Sequence, residues 1–126
     1  MEISDQEFDQ LVTQAMNELP QDYIKGLDNV AIVYADEPTD EQIHRMKIDN
    51  HHLMLGLYEG IPRTQRGGNY SMVLPDKITL FKRPILAVVD TKVALLEQIK
   101  RTLWHEIAHH YGLDHDRIDH LEAKKP

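Results

Sequence analysis

The chain has 126 residues, 41% of them hydrophobic and 28% charged, a net charge of −7 with histidines neutral, and no cysteine. That length suits one domain, residues 1–126, and the balance is globular rather than disordered. Acidity argues against non-specific nucleic-acid binding, so no nucleic-acid partner is expected, and the lack of cysteine excludes disulfides and thiolate metal ligands. The opening MEISDQEFDQ is acidic and lacks the apolar stretch of a signal peptide, and no run is long enough to span a bilayer. A cytoplasmic protein without a membrane partner is the expectation.

Ser4 and Glu7 have the spacing of a capping box, and Phe8, Leu11, Val12, Ala15, Met16 and Leu19 follow at helical intervals. This predicts an amphipathic helix over residues 4–19, stopped by Pro20, with a turn after it punctuated by Gly26 and Asn29. Val30-Ala31-Ile32-Val33-Tyr34 reads as a buried strand. Thr39 and Gln42 resemble a second capping box, opening a short helix to about Lys47. Leu53-Met54-Leu55-Gly56-Leu57-Tyr58 reads as a second strand. His51 and His52 precede it, and neighbours on a strand face opposite ways, so at most one of them could join a site.

A polar loop with Gly67 and Gly68 spans residues 63–69, followed by an edge strand over residues 70–74 and another strand over residues 78–81. Lys82, Arg83 and Pro84 end that last strand. Arg63, Arg66, Lys77, Lys82 and Arg83 concentrate positive charge in an acidic chain. They read as scattered solvated charges, with a substrate-facing rim as the sharper alternative.

Asp90 or Thr91 opens the main helix, which should run to about Tyr111. Leu95, Leu96, Ile99, Leu103, Ile107 and Tyr111 form its apolar face, while Gln98, Arg101, Thr102, His105 and His109 form a polar stripe able to floor a cleft. Lys100 and His110 interrupt the apolar side. The helix ends in H-E-x-x-H-x-x-G-x-x-H, residues 105–115. His105 and His109, four apart, project from one face and can grip one metal ion, with Zn2+ the usual occupant. Glu106 lies about 100° round the helix, placed to reach a metal-bound water. Gly112 permits the left-handed turn that ends the helix, so that His115 supplies a third ligand and a fourth position is left for water. A last short helix carrying Ile118 and Leu121 is expected after it.

The extended motif resembles that of the zincins, and within them the metzincin pattern. The whole chain more closely resembles the small bacterial family of minimal zincin-like metallopeptidases. The likeness rests on the metal helix together with Asn29-Val30-Ala31-Ile32-Val33, Leu55-Gly56-Leu57-Tyr58-Glu59-Gly60-Ile61-Pro62 and Leu74-Pro75-Asp76-Lys77-Ile78-Thr79-Leu80-Phe81, and covers most of residues 8–118. The resemblance implies an α+β fold with a small mixed sheet packed against a long metal-binding helix. It implies zinc at His105 and His109, Glu106 as general base, and a peptide or protein substrate. In many relatives the third ligand is Asp; here His115 stands in that role and Asp114 is its rival. The chain departs from true metzincins in that 11 residues follow His115 and none is Met, so the methionine turn is missing from its usual place, as is the lower half of the cleft.

Hydrolysis by such a site also needs a group to stabilise the oxyanion. Tyr70, Arg66, His110 and Tyr111 are the candidates. Two other classes compete. Gly112-Leu113-Asp114-His115 after two histidines four apart also resembles the zinc-dependent endoribonucleases of bacterial ribosomal RNA maturation, but Glu106 stands where that family has Gly. A non-catalytic metal- or partner-binding module on the zincin scaffold suits the abbreviated cleft, but it has no use for a base.

Overall fold

A computed structural model describes residues 1–27, 29–45, 54–60 and 75–112. Its elements are α1 (Asp5–Glu18), α2 (Gln21–Lys25), β1 (Val30–Ala35), α3 (Asp40–Arg45), β2 (Gly56–Glu59), β3 (Asp76–Phe81), α4 (Lys82–Ala87) and α5 (Lys92–His110). The architecture is α+β, as the family resemblance implied.

Local chemistry sets most boundaries. Ser4 caps α1 by accepting from the Glu7 N–H at 3.1 Å. Thr39 and Gln42 form a reciprocal box at the start of α3, with contacts of 2.9 and 3.0 Å. Thr91 caps α5 through the Ala94 N–H at 3.1 Å.

Two short helices depart from the sequence reading. After Pro20, where the sequence predicts a turn, the chain enters α2, with Pro20 O accepting from Tyr23 and Ile24. A proline at a helix start forfeits no intrahelical donor. Gln21 Nε2 also donates to the Met16, Asn17 and Leu19 carbonyls, which ties α2 to the end of α1. Likewise Lys82, Arg83 and Pro84 do end β3, but they also begin α4. Pro84 falls in the first turn, where its missing N–H costs nothing.

The sheet order is β1-β3-β2, with β1 parallel to β3 and β2 antiparallel to it. Alternation splits β3 between two environments. Ile78 and Leu80 join the main core with Phe8, Val12 and Ala15 of α1 and with Leu95, Ile99, Leu103 and Ile107 of α5. Phe81 faces the other way, clustering with Met54, Leu57 and Ala35. Helix α5 packs on α1 and also on β2 and β3. Its Leu95, Ile99, Leu103 and Ile107 are each 0% exposed, and burying each is worth about 1.5–3 kcal/mol. The helix is thus anchored along most of its length, from Leu95 into the start of the motif at Ile107.

Of the five basic residues singled out in the sequence, the three that are described lie beside acids: Lys77 by Glu59 at 3.8 Å, Lys82 by Asp5 at 2.7 Å and Arg83 by Glu37 at 3.8 Å. Arg63 and Arg66 lie outside the described residues, as do His51, His52, the loop and edge strand of residues 63–74, and the expected last helix. Among the described residues no helix is long and apolar enough to cross a membrane.

Candidate metal site

The motif's first residues, His105 to His110, occupy the end of α5. His105 and His109 lie one turn apart with ring centroids 4.8 Å apart and planes at 73°. Together with Glu106 they offer ligand atoms that all lie within 4.8 Å of one another. One Zn2+ holding two nitrogens at about 2.1 Å each keeps them roughly 3.3–4.2 Å apart. The donor atoms already lie within 4.8 Å of one another, and two imidazoles are donors Zn2+ favours, so the residues present fit the ion. Tyr111 caps the helix, and Gly112 follows with φ +73°. That is the left-handed turn the sequence assigned to it. His115, and with it Asp114, lies outside the described residues.

Glu106 is 9% exposed. Its Oε1 accepts from the Tyr58 backbone N–H of β2 at 2.9 Å. Burial pushes the carboxyl up to about 7, partly offset by that hydrogen bond. The pairing of β2 explains why the Tyr58 amide is available. Phe81 N donates to Leu55 O at 2.9 Å, so Leu55, Leu57 and Glu59 turn their amides toward β3, and Gly56 and Tyr58 turn theirs to the opposite edge. A carboxylate from α5 meets that outward amide.

Gly56 makes the meeting possible. A Cβ at Gly56 would lie 2.7 Å from Thr102 Cγ2 and 3.3 Å from Glu106 Cγ. Only a residue without a side chain lets β2 lie this close to the helix. The polar stripe is corrected accordingly. Helical spacing puts Thr102 on the open face, yet it is 6% exposed under Gly56, with its hydroxyl accepting from Gln98 at 3.0 Å. The stripe is roofed by β2 at Thr102 and opens at the two histidines, which are only half-buried.

Two candidates for oxyanion stabilisation are already engaged. The Tyr111 hydroxyl donates to Tyr23 O at 2.7 Å. His110 Nδ1 lies 3.4 Å from the Tyr58 hydroxyl. Tyr70 and Arg66 lie outside the described residues.

A family model described as zincin-like metallopeptidase matches residues 27–125. The chain belongs to this family. Among solved structures, a conserved hypothetical protein from T. thermophilus has a similar fold, with a TM-score of 0.56 over 86% of this chain and 94% of that one, at 20% identity. No curated protein matches the sequence significantly. The sequence reading of the site missed Gly56, the Tyr58 amide and Asp76. Gly56 could have been found, since an isolated glycine within a strand pattern signals close backbone approach.

Proposed function

We propose that this zincin-like protein is a zinc-dependent peptidase, with His105, His109 and His115 as metal ligands and Glu106 as general base. The observation that carries the reading is a buried, hydrogen-bonded Glu106 beside two histidines whose donor atoms converge. A module that only bound metal would need the imidazoles but not a buried, hydrogen-bonded carboxyl beside them.

Zn2+ bound there would supply Lewis acidity, activating water and polarising a carbonyl. His105 and His109 would bind through neutral imidazole nitrogens. Glu106 is anchored by Oε1, and its Oε2 has no protein partner among the described residues. Oε2 is therefore the atom to take a proton from the attacking water and deliver it to the leaving amine. Without metal, burial holds this carboxyl near 7; a bound cation would lower that value and favour the carboxylate that accepts the proton. Gly56 and β2 exclude water from one flank of the carboxylate.

The test is zinc analysis and turnover of dye-quenched casein and mixed fluorogenic peptides. Wild type should hold one zinc per chain and cleave peptide. His105→Ala and His109→Ala should lose the metal. Glu106→Gln should keep the metal and lose about 10²–10⁴-fold in rate. Zinc bound without cleavage of any peptide would favour the binding module. Cleavage of ribosomal RNA without peptide cleavage would favour the nuclease. Undiminished turnover in Glu106→Gln would remove the base assignment.

A further inference from the structure

Glu106 and His110 repeat, one position further round α5, the four-residue spacing of His105 and His109. The pair at 106 and 110 turns to β2, and both meet the same residue there. The Tyr58 amide donates to Glu106 Oε1 at 2.9 Å. The Tyr58 hydroxyl donates to Asp76 Oδ2 at 2.8 Å. His110 Nδ1 lies 3.4 Å from that hydroxyl and 3.7 Å from Asp76 Oδ2, and its ring meets the Tyr58 ring edge-on at 5.6 Å.

The proton count orients this cluster. A phenol has one proton, and the Asp76 carboxylate can only accept, so Tyr58 gives its proton to Asp76. The contact between Tyr58 and His110 then requires the imidazole to donate, which makes Nδ1 the protonated nitrogen. The side chains of His110 and Asp76 are 18% and 15% exposed, so water competes weakly for these bonds. Three elements are joined at one phenol: β3 through Asp76, β2 through Tyr58 and α5 through His110.

We propose that Asp76, Tyr58 and His110 form a clamp that positions Glu106, a claim that rests on reading Glu106 as the base of a peptidase. Strand β2 is four residues long and pairs with β3 along one edge. The amide that holds Glu106 lies on its other edge, where among the described residues the carboxylate is its hydrogen-bond partner. Rotation of so short a strand about its own axis would swing that amide off the carboxylate. Tethering the Tyr58 side chain to β3 on one side and to α5 on the other removes that freedom. Oε2 then points one way. A displacement of about 1 Å at such a group can cost up to 10²-fold in rate. In this proposal all three act through Glu106, which the Tyr58 amide holds. They are positioning residues.

The deciding experiment measures hydrogen exchange at the residue-58 amide by NMR, beside zinc content and steady-state peptide turnover. The proteins compared are wild type, Tyr58→Phe, Asp76→Ala and Asp76→Asn. Tyr58→Phe and Asp76→Ala should speed exchange at residue 58 about tenfold or more, with Ile99 and Leu103 amides unchanged and zinc still one per chain. Their kcat should fall about tenfold with KM held. Asp76→Asn keeps an acceptor for the phenol and should stay close to wild type in both readouts. Equal protection of residue 58 in all four proteins would overturn the clamp. So would faster exchange spread evenly along α5, the mark of general destabilisation. If wild type cleaves no peptide, the exchange pattern still decides the clamp, and only the peptidase reading falls.

Discussion

At the α1 contact, Lys100 brings a charge into partial burial and meets Glu18 at 3.2 Å and Glu97 at 3.4 Å. Less than two turns later on the same helix, Glu106 brings a charge against β2 and meets a backbone amide, with no cation paired to it among the described residues. Burial acts against the charged form at both places, but the outcomes differ. Around Lys100 the two carboxylates more than offset burial, and the amine is held above its usual value. Around Glu106 burial prevails, and the carboxyl rises to about 7. A compensated charge ties two helices together; an uncompensated one is left ready to take up a proton near neutral pH. The first region reads as structure and the second as chemistry.

The sharpest way to test that division is to weaken the shared scaffold. Leu103 is 0% exposed between the two regions, and Leu103→Ala should cost about 2–5 kcal/mol in urea denaturation. A cost well under that would mean α5 is not the common anchor. Next is the pH response of metal-free protein. Glu106 binds its proton more tightly folded than unfolded, so its contribution is fully present below pH 4.5 and is lost as pH rises to about 7. Relative to Glu106→Gln, wild type should lose about 3 kcal/mol across that window. Parallel stability–pH curves for the two proteins would break the comparison.

Gly56→Ala sharpens the β2 side. The added methyl would sit 2.7 Å from Thr102 Cγ2, so β2 must retreat, at about 1–3 kcal/mol of stability. The Tyr58–Glu106 hydrogen bond should lengthen with it, read as faster exchange of the residue-58 amide. The smallest effect belongs to Lys100→Met, which keeps the apolar stem and drops ion pairs to two partly exposed glutamates. Thermal midpoint should move by only a few degrees. A large fall there would show that Lys100 supports the helix more than its pairing implies.

Much of α5 is legible in local pattern. A start at Asp90 or Thr91, the buried stripe of Leu95, Ile99, Leu103 and Ile107, and the left-handed Gly112 all follow from rules of spacing and backbone sterics; the structure selects Thr91 as the cap. The strands at residues 30–35 and 76–81 show through their β-branched runs, though the second starts two residues earlier than its apolar residues indicate. The strand before it begins at Gly56 rather than at Leu53, which lies outside the described residues; an apolar run marks a buried segment but not the residue where pairing starts. Helices α2 and α4 are not legible in this way, because each contains or follows a proline, which reads locally as a stop. In a first turn it is as much a beginning.

What sequence alone determined is the arrangement within one helix: His105 and His109 on one face, Glu106 beside them, a glycine to end the run. A helix repeats every 3.6 residues whatever surrounds it, so those relations need no neighbour. What only the tertiary structure decided is what those side chains face. That Glu106 is buried, that its partner is an amide 48 residues away in the chain, and that Asp76, Tyr58 and His110 meet, all depend on β2 lying against α5. Burial and long-range hydrogen bonds are set by the approach of distant segments, and no periodicity within a segment encodes that approach.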